Sequence, residues 1–209
     1  AISACEKGAQ WLTALGLFSD MRQRRSEPDV ITYSAVISAC GKGTQGQEAL
    51  GMFRDMRRRR LKPNVITYTA AISACASGAQ WHDALGMLAD MRWRRLVPSV
   101  ITYSAAISAC EKGAQWLTAL GLFSDMRQRR SEPDVITYSA VISACGKGTQ
   151  GQEALGMFRD MRRRRLKPNV ITYTAAISAC ASGAQWHDAL GMLADMRWRR
   201  LVPSVITYS

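Results

Sequence analysis

A single 35-residue unit is written six times along this chain. Each copy opens on Val-Ile-Thr-Tyr, as at Val30, Val65 and Val100, and closes on a proline and one polar residue, as at Pro28-Asp29, Pro63-Asn64 and Pro98-Ser99. Residues 106–209 then repeat residues 1–104 letter for letter. A fixed period of this size predicts a solenoid, because one unit cannot bury its apolar face alone and must stack on its neighbours. The working part of such a molecule is a surface rather than an enclosed pocket. In this phase residues 1–209 form one array: a partial repeat 1–29, whole repeats 30–64, 65–99, 100–134, 135–169 and 170–204, and a start at 205–209.

The unit 100–134 predicts two helices. Thr102 reads as an N-cap, and Tyr103, Ala106, Ile107 and Cys110 follow at helical spacing. Gly113 reads as the left-handed residue that ends this helix. Trp116, Ala119, Leu120, Phe123 and Met126 form the apolar face of a second helix. Arginines gather at its end, complementing the dipole, and Pro133 forces an extended link. In the unit 30–64, Thr44 to Gln47 reads as a capping box for the second helix. The fold class expected is all-α, a solenoid of stacked helix-turn-helix hairpins.

Composition narrows the partners. A formal charge of +12, two per repeat, suits a regularly charged polymer such as nucleic acid. No apolar run approaches the roughly 18 residues that span a bilayer, so no membrane partner is expected. The six cysteines fall once per repeat. Stacked helices lie about 8–10 Å apart, whereas a disulfide needs Cα atoms within about 7 Å, so the thiols read as small core residues of a reducing compartment. No metal-spaced ligand set, glycine-rich phosphate loop or His/Asp/Glu cluster is present, and neither an enzyme nor a cofactor is expected. The chain opens at Ala1 inside a repeat, without a start methionine or targeting segment, and is expected to be a fragment.

Trp11, Trp81, Trp116 and Trp186 read as core staples in preference to base-stacking platforms, and Gly46 and Gly151 replace them in two repeats. Trp93 and Trp198, among arginines, read as exposed. The runs Arg57–Arg60 and Arg162–Arg165 read as solvated helix ends that steer an anionic partner. One glycine lies inside every second helix, off the core stripe, and softens it: Gly16, Gly51, Gly86, Gly121, Gly156 and Gly191.

The pattern V-I-T-Y-S-A-x-I-S-A-C-x-K-G, followed by A-L, D-M-R and P-D/N, closely resembles the pentatricopeptide repeat of the plain 35-residue type, over the whole chain. The resemblance implies a right-handed superhelix whose first helices line a groove for single-stranded RNA, one base per repeat, 5′ to 3′ from N to C terminus. It implies that the second residue of each repeat sandwiches the bases: Ile31, Ile66, Ile101, Ile136, Ile171 and Ile206. It implies that the fifth and last residues choose the base. Those pairs are Ser34 with Asn64, Thr69 with Ser99, Ser104 with Asp134, Ser139 with Asn169, and Thr174 with Ser204; Asp29 and Ser209 are half-pairs. Serine with asparagine resembles the adenine reader and serine with aspartate the guanine reader; threonine with serine departs from the regular pairs and goes with purines. Lys7, Lys42, Lys112 and Lys147 would meet the phosphates, and Ser77 and Ser182 depart from that pattern. The family also implies a mitochondrial or chloroplast location and a role in RNA processing, stability or translation.

From the residues alone, Ser34 and Asn64 stand equally as a donor/acceptor alphabet and as ordinary helix-start and turn residues; the resemblance favours readout. The sequence therefore predicts binding to a purine-rich single strand. Two further readings stand beside it. One is a protein-interaction solenoid. The other is head-to-tail self-association, since residues 209 and 1 are nearly in phase.

Overall fold

Two apolar faces per repeat, separated by a short turn, fold as two antiparallel helices in a computed structural model of the chain, which describes residues 1–183, 185–204 and 207. The chain divides into two units, Ala1–Ala109 and Cys110–Ser209. The first holds α1 (Ile2–Lys7), α2 (Trp11–Gln23), α3 (Val30–Lys42), α4 (Gly46–Arg58), α5 (Val65–Ser77) and α6 (Trp81–Trp93). Helix α7 (Val100–Lys112) runs through the boundary. The second holds α8 (Trp116–Gln128), α9 (Val135–Lys147), α10 (Gly151–Arg163), α11 (Val170–Ser182) and α12 (Trp186–Trp198). The fold is all-α, with no strand among the described residues.

Within each unit the stacking follows one rule. In the first, α3 packs on its partner α4 and on α5, the first helix of the next repeat, while α4 also packs on α5. In the second, α9 does the same with α10 and α11. The core between repeats is an aromatic pair. Fully buried Tyr33 and Tyr68 meet Phe18 and Phe53 edge-on, at 4.9 and 5.2 Å between ring centroids. Tyr138 and Tyr173 meet Phe123 and Phe158 likewise, at 5.0 and 5.2 Å. Such pairs contribute ~0.5–1.5 kcal/mol beyond their buried area. Because each ring comes from a different repeat, neither helical hairpin completes its core without its neighbour.

The helix ends differ from the sequence-based expectation at three points. Thr102 is not the N-cap: its backbone N–H donates to Ser99 Oγ at 3.2 Å, and the helix already starts at Val100. Asp29, Asn64, Asp134 and Asn169 cap their helices in the same way. At Asn64 and Asn169 the threonine three residues on completes a capping box. Thr44 forms no box with Gln47: it is left-handed, at φ 59°, and its hydroxyl donates to the Gly43 carbonyl. The left-handed residue after α7 is Ala114, at φ 55°, not Gly113. Ala114 N–H donates to the Glu111 carbonyl at 3.2 Å and Gln115 N–H to the Cys110 carbonyl at 2.8 Å, a Schellman closure one residue beyond the glycine.

The turn glycine serves space rather than dihedral freedom. A Cβ on Gly43 would lie 2.3 Å from Trp11 Cδ1, and one on Gly148 2.3 Å from Trp116 Cδ1. Trp11 and Trp116, at the starts of α2 and α8, thus seat on the turn of the following repeat. Trp11, Trp81 and Trp116 are half-buried rather than in the core, where the sequence placed them, and Trp186 is 59% exposed. Trp93 and Trp198 stand out in solvent beneath Arg94 and Arg199. All six cysteines are free; five are buried and Cys5 is half-buried. Burial pushes the thiol pKa up to about 11 at Cys40 and about 12 at Cys75, so these sulfurs are inert core atoms.

Candidate nucleic-acid interface

The start of each first helix turns opposite faces to core and solvent. Tyr33 and its equivalents point inward, which forces the isoleucine two residues earlier out. Ile31, Ile66, Ile101, Ile136 and Ile171 are between 65% and 72% exposed. A large apolar side chain left exposed at one recurring position, two residues before a fully buried tyrosine, is an informative feature of the surface. Ile206 lies outside the described residues.

In the first unit, Ile31 and Ile66 flank a cavity of about 180 Å³ that is also lined by Ser34 and Asn64. In the second, Ile171, Thr174, Ser204 and Lys147 line a cavity of about 680 Å³. The structure therefore brings together residues that the repeat pattern placed 30 or more positions apart. Ser34, Ser104 and Ser139 are nearly buried, Thr69 and Thr174 half-buried. Asn64, Ser99, Asn169 and Ser204 are exposed, and Asp134 is half-exposed. The hydroxyls of Ser34 and Ser139 each lie 2.7 Å from the carbonyl one turn back, Val30 or Val135. At the half-pair residue Asp29, the Thr32 N–H, followed by the Thr32 hydroxyl, holds the carboxyl below the usual carboxylate range.

Lys7, Lys42, Lys112 and Lys147 are all exposed at the ends of first helices. Two of them are already engaged. Lys42 Nζ lies 3.2 Å from Glu6 Oε1, and Lys147 Nζ 2.6 Å from Glu111 Oε1. Ser38 and Ser143 donate to the same carboxylates. A carboxylate from one repeat thus pairs with the lysine of the next.

The opposite ends of the hairpins hold a network that the sequence did not disclose. The Tyr33, Tyr68, Tyr138 and Tyr173 hydroxyls donate to Asp55, Asp90, Asp160 and Asp195 at 2.5–2.6 Å. Arg59 and Arg94 pair with Asp55 and Asp90 from one turn on, and Arg57 reaches Asp90 from the preceding repeat at 3.4 Å. Arg162 and Arg164 repeat the pattern on Asp195 and Asp160. Part of each arginine run is thus bound into the stack. Among the described residues no group of His, Cys, Asp and Glu could hold a metal ion, and no helix is long and apolar enough to cross a membrane.

Stacked two-helix repeats, with an exposed isoleucine at the second position of five of them, define a helical-repeat protein. Pentatricopeptide repeat models match residues 2–43, 28–77, 66–96, 98–147, 133–182 and 171–201, and the chain belongs to the pentatricopeptide repeat family. No curated protein sequence matches it. Among solved structures, the pentatricopeptide repeat protein PPR10 from maize is 26% identical with a TM-score of 0.65, over 99% of this chain and 30% of PPR10. PPR10 in complex with an 18-nt psaJ RNA element matches at 24% identity and a TM-score of 0.58, over 99% of this chain and 34% of that one. The chain thus spans about a third of PPR10. The PPR domain of Arabidopsis thaliana protein-only RNase P 1, in complex with tRNA, matches at 14% identity and a TM-score of 0.69, over 82% of this chain and 91% of that domain.

Proposed function

We propose that this chain binds single-stranded RNA along its first-helix surface, one base per repeat, and favours a purine-rich tract. The observation that carries the reading is the cavity in which Ile31 and Ile66 flank Ser34 and Asn64. Two apolar walls suit the faces of a base, and a hydroxyl beside an amide suits its polar edge. The charge of +12 supplies sequence-independent attraction to the phosphates. Family membership and the RNA bound to PPR10 support the same partner. With Ser34·Asn64, Thr69·Ser99, Ser104·Asp134, Ser139·Asn169 and Thr174·Ser204 read in order, the preferred strand is adenine, purine, guanine, adenine, purine. Such a protein acts by occupancy, shielding a transcript or remodelling its structure.

Fluorescence anisotropy with a purine-rich and a polypyrimidine RNA of ten nucleotides, at two salt concentrations, tests this. Preference for the purine strand is expected, with a log–log salt slope of about −4 if about six phosphates are engaged. Equal binding to both strands would leave a basic RNA-binding surface without a code. Binding to neither would favour the protein-interaction solenoid.

The carboxylates at Lys42 and Lys147 make a second expectation. Replacing Glu6 and Glu111 by glutamine keeps acceptors for Ser38 and Ser143 but frees both ammonium groups. RNA affinity should rise, and the salt slope should steepen by about 1.4, since each further phosphate neutralised contributes about 0.7 on single strands. An unchanged slope in the same titration would show that these lysines do not reach phosphate.

A further inference from the structure

In four of the five base-choosing pairs one residue stands between the two members, and it belongs to the next repeat. Thr67 is fully buried, with its Oγ1 2.7 Å from Ser34 Oγ and 3.0 Å from Asn64 Oδ1. Thr172 stands at the same distances from Ser139 and Asn169. In the repeats that end in serine, Thr102 Oγ1 lies 2.7 Å from Thr69 Oγ1 and 3.0 Å from Ser99 Oγ. Thr207 lies 2.9 Å from Thr174 and 3.0 Å from Ser204. A buried polar atom recurring in this bridging place is a wire between the two reading residues.

A hydroxyl owns a single proton, which fixes the sense of the wire in one kind of repeat and leaves it free in the other. The Oδ1 of Asn64 only accepts, so Thr67 gives it its proton and turns a lone pair toward Ser34. Ser34 then spends its own proton inward, on Thr67 or on the Val30 carbonyl at 2.7 Å. The pair meets a base with one fixed polarity: lone pairs at Ser34, an amide NH₂ at Asn64. Ser99 carries a proton of its own. The wire from Thr69 through Thr102 to Ser99 runs in either direction, so the outward proton sits on Ser99 in one state and on Thr69 in the other.

We propose that the third-position threonines, Thr67, Thr102, Thr172 and Thr207, are positioning residues that couple the two base-choosing residues, and that the last residue of the repeat sets the polarity they present. Repeats ending in asparagine present one hydrogen-bond pattern and discriminate sharply between bases. Repeats ending in serine present two interchangeable patterns and tolerate more bases. This rests on the base-reading function proposed above.

The test is anisotropy of the whole chain against a panel of ten-nucleotide RNAs in which each position in turn carries each base. The wild type should discriminate about tenfold at the positions read by Ser34·Asn64 and Ser139·Asn169, the worth of about one direct hydrogen bond, and clearly less at those read by Thr69·Ser99 and Thr174·Ser204. Thr172→Val keeps the branched shape and removes the wire. It should flatten discrimination at the one position read by Ser139·Asn169 and leave the others as they were, whereas Thr172→Ser should retain it. Two results overturn the coupling: full discrimination in Thr172→Val, or serine-ended repeats as selective as asparagine-ended ones in the wild type. The second comparison needs no variant, so it holds even if Thr172→Val folds poorly. A wild type that discriminates at no position would instead overturn the base-reading function itself, and the coupling with it.

Discussion

Alanine at Gly16, Gly51, Gly86, Gly121, Gly156 and Gly191 should raise the stability of the folded chain by about 6 kcal/mol in total, about 1 kcal/mol for each exposed helix-interior glycine replaced. At every one of the six, a Cβ built on the backbone meets no atom within 4 Å, so the methyl group fills open space at no steric cost. The gain comes from the unfolded chain, which loses backbone freedom, and from a helix interior that no longer carries its weakest former apart from proline. The six sites lie on six different second helices and no added methyl group meets another residue, so their effects should add. Urea unfolding of the sixfold variant, followed by far-UV circular dichroism, measures the sum. A midpoint equal to that of the wild type would mean that the helices are not continuous through these positions. The same variant also tests why the glycines are there. If they soften second helices so that the stack adjusts to RNA, affinity for the purine-rich strand should fall while stability rises, the usual opposition between rigidity and adaptable binding.

The parts of this molecule that the sequence disclosed are those governed by local spacing. Helix pairs follow from apolar residues at every third and fourth position, and the buried cysteines and exposed Trp93 and Trp198 follow from place within the period. The cap was misplaced because threonine and the Asn, Asp or Ser three residues before it are all capping types. Periodicity alone does not choose between them; the Pro-Asn or Pro-Asp step does, since an extended residue after proline is where an N-cap sits. Gly113 drew the left-handed assignment because glycine is the usual occupant. The neighbouring turns show another use for that position, room for a tryptophan from the preceding repeat. The exposed isoleucines read as functional only through the family resemblance, since an isoleucine two residues from a tyrosine fits a core face equally well. The Tyr–Asp and Glu–Lys contacts bridge residues 22 and 36 apart, beyond any helical period. Their signal was present all the same: D-M-R recurs at a fixed distance from the tyrosine of the same repeat, and a charged residue kept at a fixed register in a solenoid faces the same neighbour each time.

The tyrosine–aspartate network should make the fold sensitive to alkali. Burial, then the hydrogen bond to a carboxylate, raises the phenol pKa from 10.0 to about 12 at Tyr33, Tyr68 and Tyr173. The folded state therefore holds these protons more tightly than the unfolded chain. Their stabilisation is complete below pH 10, where both states are protonated, and is lost between pH 10 and about 12 as only the unfolded chain ionises. At Asp90 burial opposes ionisation most strongly, yet the Tyr68 and Arg94 hydrogen bonds and the charges of Arg57 and Arg94 outweigh it and hold the carboxyl below its usual range. That contribution is present above the ordinary carboxylate pKa and is lost as the pH falls through the lower folded value. Tyr68→Phe separates the hydroxyl from the ring: the contact with Phe53 remains and the bond to Asp90 goes. At neutral pH the variant should be destabilised by about 1.5 kcal/mol, the lower range for a hydrogen bond to a charged group, because Arg57 and Arg94 still hold the carboxylate. Between pH 10 and 12 its urea midpoint should fall less steeply than that of the wild type, so the two curves converge. Parallel curves across that window would show that the Tyr68 proton is not held by Asp90, and would reduce the network to packing of the rings alone.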